Sequence, residues 1–558
     1  MLLILFSWGL ILTFAIVVGV SVNRLLKLQE VNPVLVIFHG FFTLTLLAGC
    51  WAIFAAIDWK FFIFLLIVLA YFMFINHSLI INYLALFKQE FQKTSNFVKI
   101  ILAVILVLIL AQSASAPSLL DNESYYIQTI AWLNEFGLVN GLINLHLFLG
   151  QNSGWHILQS AFNFNFIYDR FNDLNGLCLL LANYYALIKL NHYFKFKNNP
   201  LDLAIGLFPI FNVFLFQFVS SPSPDLAVYI ISLFLFYGFL MNYHACSKNG
   251  LISLVMLTSF LILIKVTTIV FVLFPMVIYI KHYNHVKQYS FLVWLVALAT
   301  LSLIVTKNIL ITGNAIYPMI GIESLKASWS LPANIETYFY KYAKAYGYAV
   351  TPEVYSNNTY LDLIKTWMFQ TGMDGVFNKI MVLVLCLFII FIKKFKNNKA
   401  ILFIYGIALL QLVVLFITSP QFRFYMPFVF MLSLLLISKI ITTESLAKRF
   451  LVLSVLAVLV PLIFNIPNLK TSAFSTSYLI EPHGNSRFAK DYQTINLGNT
   501  HINIPKNIGF FWGTGNTPLP AFNAQQLEYF KTYFKVIPQQ RTEDLKDGFY
   551  SKSLKNGN

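Results

Sequence analysis

The sequence predicts an all-α fold: a polytopic transmembrane helical bundle of about fourteen spans, with external loops and a small external C-terminal appendage. Composition is the first observation that predicts this class. Hydrophobic residues make up 58% of the 558 residues and charged residues only 11%, and the mean hydropathy is +0.72. Soluble globular domains are much more polar. The second observation is that apolar runs of about 17 to 25 residues, enough to cross a hydrocarbon core as a helix, recur along nearly the whole chain.

The spans fall into three groups separated by two long loops. The predicted spans are 2–20, 33–57, 60–82, 97–116; then 174–190, 201–219, 225–242, 250–264, 266–280, 289–310; then 377–392, 400–418, 424–440 and 450–465. The run 2–20 has no basic region before it and no small-residue cleavage site after it, which predicts a retained first span. The resulting regions are an N-terminal transmembrane module (1–116), a first loop (117–173), a central bundle (174–310), a second loop (311–376), C-terminal spans (377–465) and a C-terminal region (466–558).

The basic residues predict the orientation. With these spans, the loops on one side carry most of the short basic clusters: Arg24/Lys27, Lys88/Lys93, Lys195/Lys197, Lys248, Lys281/Lys287, Lys393/Lys394/Lys396/Lys399 and Lys448/Arg449. The positive-inside rule makes that side cytoplasmic and places both termini and both long loops outside. This depends on dividing 251–280 into two short helices near Lys265, because a single span there would invert everything downstream.

The net charge of +16 is therefore a topology signal and not a sign of nucleic-acid binding. The four cysteines, Cys50, Cys178, Cys246 and Cys386, lie in or beside apolar spans, which argues against structural disulfides. We expect an integral protein of a bacterial inner membrane.

The first loop carries candidate acids directly after an apolar run. Asp121 and Glu123 would stand at the outer mouth of a helix, followed by Tyr125 and Tyr126. The loop should form short helices in the membrane interface, with Trp132 and other aromatic side chains at headgroup depth. The alternative is that the two acids only face water and that the aromatic side chains only anchor the loop. His146 and His156 could serve in acid–base or ligand roles, but the sequence favours hydrogen-bonded structural histidines.

Three further ionisable residues fall on the same predicted face. Asp225 follows two prolines at the start of a span, where it fits a helix N-cap as well as a functional acid. Lys265 interrupts a long apolar stretch; ionisable groups inside membrane segments are costly and usually functional, although snorkelling to the surface is the alternative. Arg423 begins a late span, and its guanidinium fits either a phosphate or an interfacial anchor.

Taken in order, five short segments resemble the GT-C superfamily of integral-membrane glycosyltransferases, and in particular an uncharacterised bacterial branch with long hydrophobic N-termini. The matching segments are Asp121 and Glu123, the turn Ser223-Pro224-Asp225, Lys265 with Thr267, the loop with Gly313, Asn314, Tyr317 and Pro318, and Arg423-Phe424-Tyr425 with Pro427. The resemblance spans about residues 115–430. The chain departs from many members in having four spans before the acidic loop.

The resemblance implies transfer of a sugar from a polyprenyl-phosphate carrier to a glycan, lipid or protein acceptor at the external face. Asp121 would be the base, with Glu123 assisting it or holding a divalent metal; no cofactor is certain. Arg423 and Lys265 would neutralise the departing phosphate. The other candidate substrate-binding residues are Tyr125, Tyr126, His146, His156, Asp225, Asn314, Tyr317 and Tyr425.

Two other functions fit the same composition. A transporter or flippase for lipid-linked oligosaccharides should carry midplane charges and internal repeats, and no convincing repeat is present. A polysaccharide polymerase or ligase would rely more on Arg and His than on an acidic first loop. The run 338–348 predicts an amphipathic helix that could cover a lipid-carrier groove, and 521–534 predicts a helix in the C-terminal region.

Overall fold

The structure is a computed structural model that describes residues 1–29, 32–163, 173–197, 199–395, 398–464 and 472–554. Lys396, one of the orientation residues, lies outside the described residues, as do 164–172 of the first loop and 465–471 at the start of the C-terminal region. The described part of the chain is predominantly helical, which confirms the helical character of the predicted class, and the two small sheets found there both lie in the C-terminal region.

Among the described residues up to 312, the structure contains fourteen α-helices. They are α1 (Leu2–Leu25), α2 (Pro33–Phe54), α3 (Trp59–Gln92), α4 (Asn96–Ala114), α5 (Ile127–Glu135), α6 (Gly154–Ala161), α7 (Asp173–Phe196), α8 (Pro200–Gly206), α9 (Asn212–Leu215), α10 (Pro224–Asn242), α11 (Lys248–Ile264), α12 (Leu273–Lys281), α13 (Tyr283–Val286) and α14 (Ser290–Thr312). A π-helical turn (Asn122–Tyr126) leads into α5, and a 3-10 segment (Val266–Val272) leads into α12.

The second half continues with α15 (Ala333–Gly347), α16 (Pro352–Asn357), α17 (Tyr360–Met368), α18 (Gly372–Ile390), α19 (Lys399–Ile417), α20 (Phe422–Ile437), α21 (Glu444–Ile463) and α22 (Ala524–Tyr529). The C-terminal region adds two antiparallel hairpins, β1 (Tyr492–Leu497) with β2 (Thr500–Pro505), and β3 (Val536–Gln540) with β4 (Phe549–Ser553). A second π-helical turn (Phe530–Phe534) extends α22, so the helix predicted at 521–534 is present in the structure.

Polar side chains start several of the apolar helices. Asn32 caps α2, whose first residue is a proline, while Ser95 caps α4 and Ser247 caps α11. Each side-chain oxygen accepts from at least one of the backbone N–H groups that have no partner within the helix, and Asn32 accepts from two. The short polar connections between apolar runs therefore determine where the helices begin.

Within the described residues, ten helices or helical segments are long and apolar enough to cross a membrane. They are Leu2–Leu25, Pro33–Phe54, Trp59–Gln92, Asn96–Ala114, Pro200–Phe218, Pro224–Asn242, Tyr283–Thr312, Gly372–Ile390, Lys399–Ile417 and Glu444–Ile463. Shorter apolar helices occupy Lys248–Ile264, Val266–Lys281 and Phe422–Ile437, and the remaining predicted span falls within α7. The helical state of all fourteen predicted segments is thus confirmed, and the number that cross the membrane stays a prediction.

Helix α10 is the centre of the bundle. Its most apolar stretch is 89% buried, compared with 17% for α3 and for the α13–α14 segment, which are peripheral. Phe234 of α10 contacts Phe38 of α2 and Tyr185 of α7, and Phe236 contacts aromatic rings of α12 and α20. The N-terminal helices therefore share one core with the central bundle.

The chain reverses direction at Lys265, as the sequence predicted. Lys265 has extended backbone angles and separates α11 from the following 3-10 segment. Its side chain reaches Asp225 at the start of α10, whereas His282, just after α12, bonds the carbonyl of Tyr243 at the opposite end of α10. Helices α11 and α12 consequently run in opposite directions along α10, which is the division on which the predicted orientation depends.

The two long loops and the C-terminal region share a second hydrophobic core, separate from that of the bundle. It combines Ile143 and Leu147 of the first loop with Ile335 and Phe339 of α15 and with Phe530 of the C-terminal region. Trp132 and Trp155 are also fully buried, so their rings lie inside the protein and not at its lipid-facing surface. The C-terminal region therefore packs together with the two long loops. Its location outside the membrane stays a prediction.

Candidate functional site

Four charged side chains meet at one end of the bundle. Arg423 Nη1 donates to Asp121 Oδ2 at 2.6 Å and lies 3.6 Å from Asp225 Oδ2. The other oxygen of Asp225 accepts a hydrogen bond from Lys265 Nζ. Two carboxylates and two cations therefore form a continuous network, and each is within reach of an opposite charge, as groups withdrawn from water require.

Helix ends bring these residues together. Asp121 precedes the π-helical turn, Asp225 is the second residue of α10, Lys265 lies at the break after α11, and Arg423 is the second residue of α20. Ser223, not Asp225, is the N-cap residue of α10, so both carboxylate oxygens of Asp225 are directed to the cations. The N-cap alternative for Asp225 therefore does not apply in this structure.

The two cations share an aromatic neighbour. Lys265 Nζ lies 4.5 Å from the ring centroid of Phe424, and the guanidinium carbon of Arg423 lies 5.6 Å from it. Arg423 Nε also donates to Gln421 Oε1 at 3.0 Å. These contacts hold the guanidinium in one orientation, which a flexible ammonium group at the same position would not achieve.

A cavity of about 820 Å³ opens beside this network. Its floor includes Asp121, Asp225 and Arg423, and one wall is formed by Tyr338, Tyr342 and Tyr346 of α15; Glu353 and Asp374 add two further carboxylates. About 32% of the Asp121 side chain is exposed, compared with 2% of Asp225. Asp121 is thus the acid of the network that a ligand in the cavity can reach.

A family model described as a domain of unknown function (DUF8201) matches residues 1–430. The chain belongs to the DUF8201 family. All four charged residues fall within the matched range, while the C-terminal region lies beyond it. No curated protein matches the chain. No solved structure matches it either.

Tyr126 contacts Asp121, and His156 packs against Tyr126. The Tyr126 hydroxyl donates to Asp121 Oδ2 at 3.4 Å, and the His156 ring lies 4.9 Å from the Tyr126 ring. His156 Nε2 bonds the carbonyl of Pro222, which assigns the proton to Nε2. Burial lowers the pKa of His156 to about 3, so this imidazole is neutral at physiological pH. Tyr125 packs edge-on against Tyr126.

Glu123 is directed away from the cavity toward the C-terminal region. Its carboxylate accepts hydrogen bonds from the Ser486 hydroxyl at 2.6 Å and the Arg487 backbone N–H at 3.0 Å. Its backbone carbonyl accepts from the N–H groups of Thr514 and Gly515. Burial raises the pKa of the Glu123 carboxyl. The two acids of the sequence motif thus have separate partners, and Glu123 attaches the C-terminal region to the first loop of this DUF8201 protein.

The remaining predicted site residues lie in packing or loop-forming positions. His146 bonds the carbonyl of Trp512 and the N–H of Phe148, and burial lowers its pKa to about 4. Tyr425 donates to Asn378 Oδ1 and is fully buried. Asn314 lies in the loop after Gly313, which has a left-handed backbone conformation, and donates to Glu336 of α15. The Tyr317 hydroxyl donates to the carbonyl of Leu147. None of these contacts reaches the charged network.

The side chains of the charged network do not form an evident metal site. Among the residues described, no group of three or more His, Cys, Asp or Glu side chains is placed to hold one. Asp121 and Asp225 approach each other through the shared guanidinium of Arg423, so a divalent ion between them would compete with that cation.

Several residues of the cavity were not selected from the sequence. Asp374 is an acid in the first turn of an apolar helix, the same arrangement as Asp225, and that signal could have identified it. Glu353 and Gln421 carry no comparable signal. Ser223, which the sequence singled out only as part of the turn before α10, lines the cavity with a buried hydroxyl that has no hydrogen-bond partner within the described part of the chain.

Proposed function

We propose that this DUF8201 protein is a membrane glycosyltransferase that moves a sugar from a polyprenyl-phosphate carrier to an acceptor hydroxyl. The observation that carries the proposal is the pairing of a reachable carboxylate, Asp121, with Arg423 at the floor of an aromatic-walled cavity. A carboxylate can take a proton from an acceptor, and a fixed guanidinium can balance the charge of a phosphate. The order of motifs that resembles GT-C enzymes gives the same chemistry.

The reaction uses three of the four charged groups directly, and Asp225 holds the two cations in place. The acceptor hydroxyl gives its proton to Asp121, and its oxygen forms a bond with the anomeric carbon. The bond between that carbon and the phosphate oxygen breaks, and the electron pair leaves with the carrier phosphate. Arg423 and Lys265 balance the negative charge that develops there, an effect that a partly desolvated site strengthens. Attack opposite the leaving group inverts the anomeric configuration.

The position of the charges favours an enzyme over a transporter. The network lies at the ends of helices, at one end of the bundle, whereas a transporter requires its binding charges near the bilayer midplane. Basic residues of the short loops lie at the opposite end, where Lys248 bonds the carbonyls of Leu26 and Lys27. The positive-inside rule then makes the cavity open toward the external face of a bacterial inner membrane.

The test is sugar transfer by the full chain in reconstituted membranes, with a panel of polyprenyl-phosphate sugars as donors. Asp121→Asn should lower transfer by about 10²- to 10⁴-fold, the range for loss of a general base. Asp491→Asn is the control, because it alters an exposed carboxylate directly before β1 in the C-terminal region. Equal transfer by the wild type and Asp121→Asn at matched expression would refute the assignment of Asp121, and transfer of no sugar from any donor would refute the proposed reaction.

A further inference from the structure

A row of tyrosine rings leads out of the cavity along α15. Tyr346, Tyr342 and Tyr338 are spaced four residues apart and so lie on one face of the helix. Their ring centroids are 6.2 and 6.4 Å apart, with interplanar angles of 29° and 20°. All three line the cavity that contains Asp121.

The row continues onto the C-terminal region. The Tyr338 ring lies 6.3 Å from the Tyr529 ring and 5.8 Å from the Tyr533 ring, and the Tyr529 hydroxyl donates to the Tyr338 hydroxyl at 3.1 Å. Tyr529 and Tyr533 are stacked at 5.1 Å and 10°. We call the five side chains Tyr346, Tyr342, Tyr338, Tyr529 and Tyr533 the tyrosine strip. Its two ends are open, since Tyr346 is 54% and Tyr533 59% exposed.

We propose that the tyrosine strip binds the acceptor, and that this acceptor is an extended glycan chain whose growing end enters the cavity. This inference rests on the proposed function. Each step along the strip is close to the width of one pyranose ring, and the apolar face of a sugar stacks on an aromatic ring while its hydroxyls remain in water. Tyrosine suits this role because its ring is rigid and apolar and its hydroxyl is polar.

The surroundings of the strip favour a glycan over a lipid surface. Its inner end shares a cavity with four carboxylates, Asp121, Asp225, Glu353 and Asp374, and with the charged Arg423. Its outer end lies on the extension of α22, where the neighbouring Glu528 and Thr532 are exposed and polar. Aliphatic side chains such as Leu120 and Val354 also line the cavity at the inner end, whereas a membrane-inserted aromatic surface would be bordered by apolar side chains at its outer end too.

Binding can be measured apart from transfer. The probes are fluorescently labelled cello-, malto- and chito-oligosaccharides, from monosaccharide to hexasaccharide, added to the full chain in nanodiscs. In at least one series the affinity should rise with length. Tyr533→Ala should weaken the longest glycans by about two- to tenfold and leave the monosaccharide unchanged, because each stacking contact contributes a small increment. Tyr533→Phe should bind as the wild type does.

Tyr346→Ala, at the inner end, should weaken binding at every length. Tyr492→Ala is the matched control, since Tyr492 is an exposed tyrosine of β1 in the same C-terminal region and belongs to no ring pair among the described residues. The same length series measured on Asp121→Asn separates the two proposals: a retained length dependence supports the strip whatever the transfer assay gives, and a lost transfer supports the reaction whatever the strip variants give.

Three results would overturn the glycan assignment. The first is affinity that does not depend on glycan length in any series, and the second is affinity for the longest glycans that Tyr533→Ala leaves unchanged. The third is protection of Tyr533→Cys in nanodiscs from a membrane-impermeant maleimide, measured above the background of the native cysteines, which would place the outer end of the strip in lipid.

Discussion

The buried pair of Asp225 and Lys265 provides a quantitative test of the structure. Asp225 is 2% exposed and Lys265 about one fifth exposed, and they are bonded to each other. Asp225→Ala would leave the Lys265 ammonium in an apolar bundle with its carboxylate partner removed. Breaking a buried ion pair from one side costs about 3 to 5 kcal/mol, and the partial exposure of Lys265 favours the lower end, about 3 kcal/mol.

Removing both charges should cost much less. In the double variant with Asp225→Leu and Lys265→Met, neither charge remains to be desolvated, and apolar replacement of a buried pair is often neutral. A double-mutant cycle built from these two changes and their single variants should therefore give a coupling energy of about 2 to 3 kcal/mol. The assay is reversible unfolding in mixed micelles, followed by helical circular dichroism.

The control cycle uses Glu444 and Lys448, an exposed pair at 2.7 Å on one face of α21. Its coupling energy should be below about 1 kcal/mol, as for other surface pairs. Additive effects at Asp225 and Lys265, with a coupling no larger than that of the control, would show that the two side chains do not meet as described. The charged network of Asp121, Asp225, Lys265 and Arg423 would then not exist as described.

Three further outcomes follow from the contacts of the site. Arg423→Lys should lower sugar transfer by about 10- to 100-fold, because an ammonium group cannot replace the guanidinium contacts to Asp121, Asp225 and Gln421 at once. Transfer near the wild-type rate would contradict this. Burial raises the pKa of Glu123, so its attachment to the C-terminal region should be strongest below about pH 4.5 and weaken as the pH rises through the raised pKa. The measurement is hydrogen exchange at the Arg487 amide, which donates to Glu123, and Glu123→Gln should remove this pH dependence. An exchange profile that is the same in the wild type and in Glu123→Gln would refute the prediction. Burial lowers the pKa of His156 to about 3, so its contribution to stability should be lost as the pH falls below about 6.5, and the unfolding midpoint of His156→Gln should change less between neutral pH and pH 5 than that of the wild type.

The helical segments of the bundle could be predicted because burial in lipid leaves few choices. A continuous apolar run must satisfy its backbone hydrogen bonds internally, which makes it a helix wherever it lies in the fold. The break at Lys265 was predictable for a related reason, because an ammonium group is costly to bury inside an apolar stretch and is better accommodated at a turn between two spans. In the structure Asp225 reaches it there.

The partners of the acids could not be predicted in the same way. Asp121 and Glu123 are two residues apart, yet a π-helical turn separates their side chains, and one meets Arg423 while the other meets Ser486. Those partners lie about 300 and 360 positions away along the chain. Local sequence carries no information on which of two neighbouring carboxylates will face which distant group.

The sequence by itself determined the membrane class, the helical segments, the reversal at Lys265 and the set of ionisable residues from which a site could be built. Only the tertiary structure decided that Asp121, Asp225, Lys265 and Arg423 form one network, and that the C-terminal region contacts Tyr338 in the wall of its cavity. The physical reason is that hydropathy and helix formation act within a few turns of chain, whereas ion pairs and ring contacts depend on how α10, α15 and α20 pack against each other.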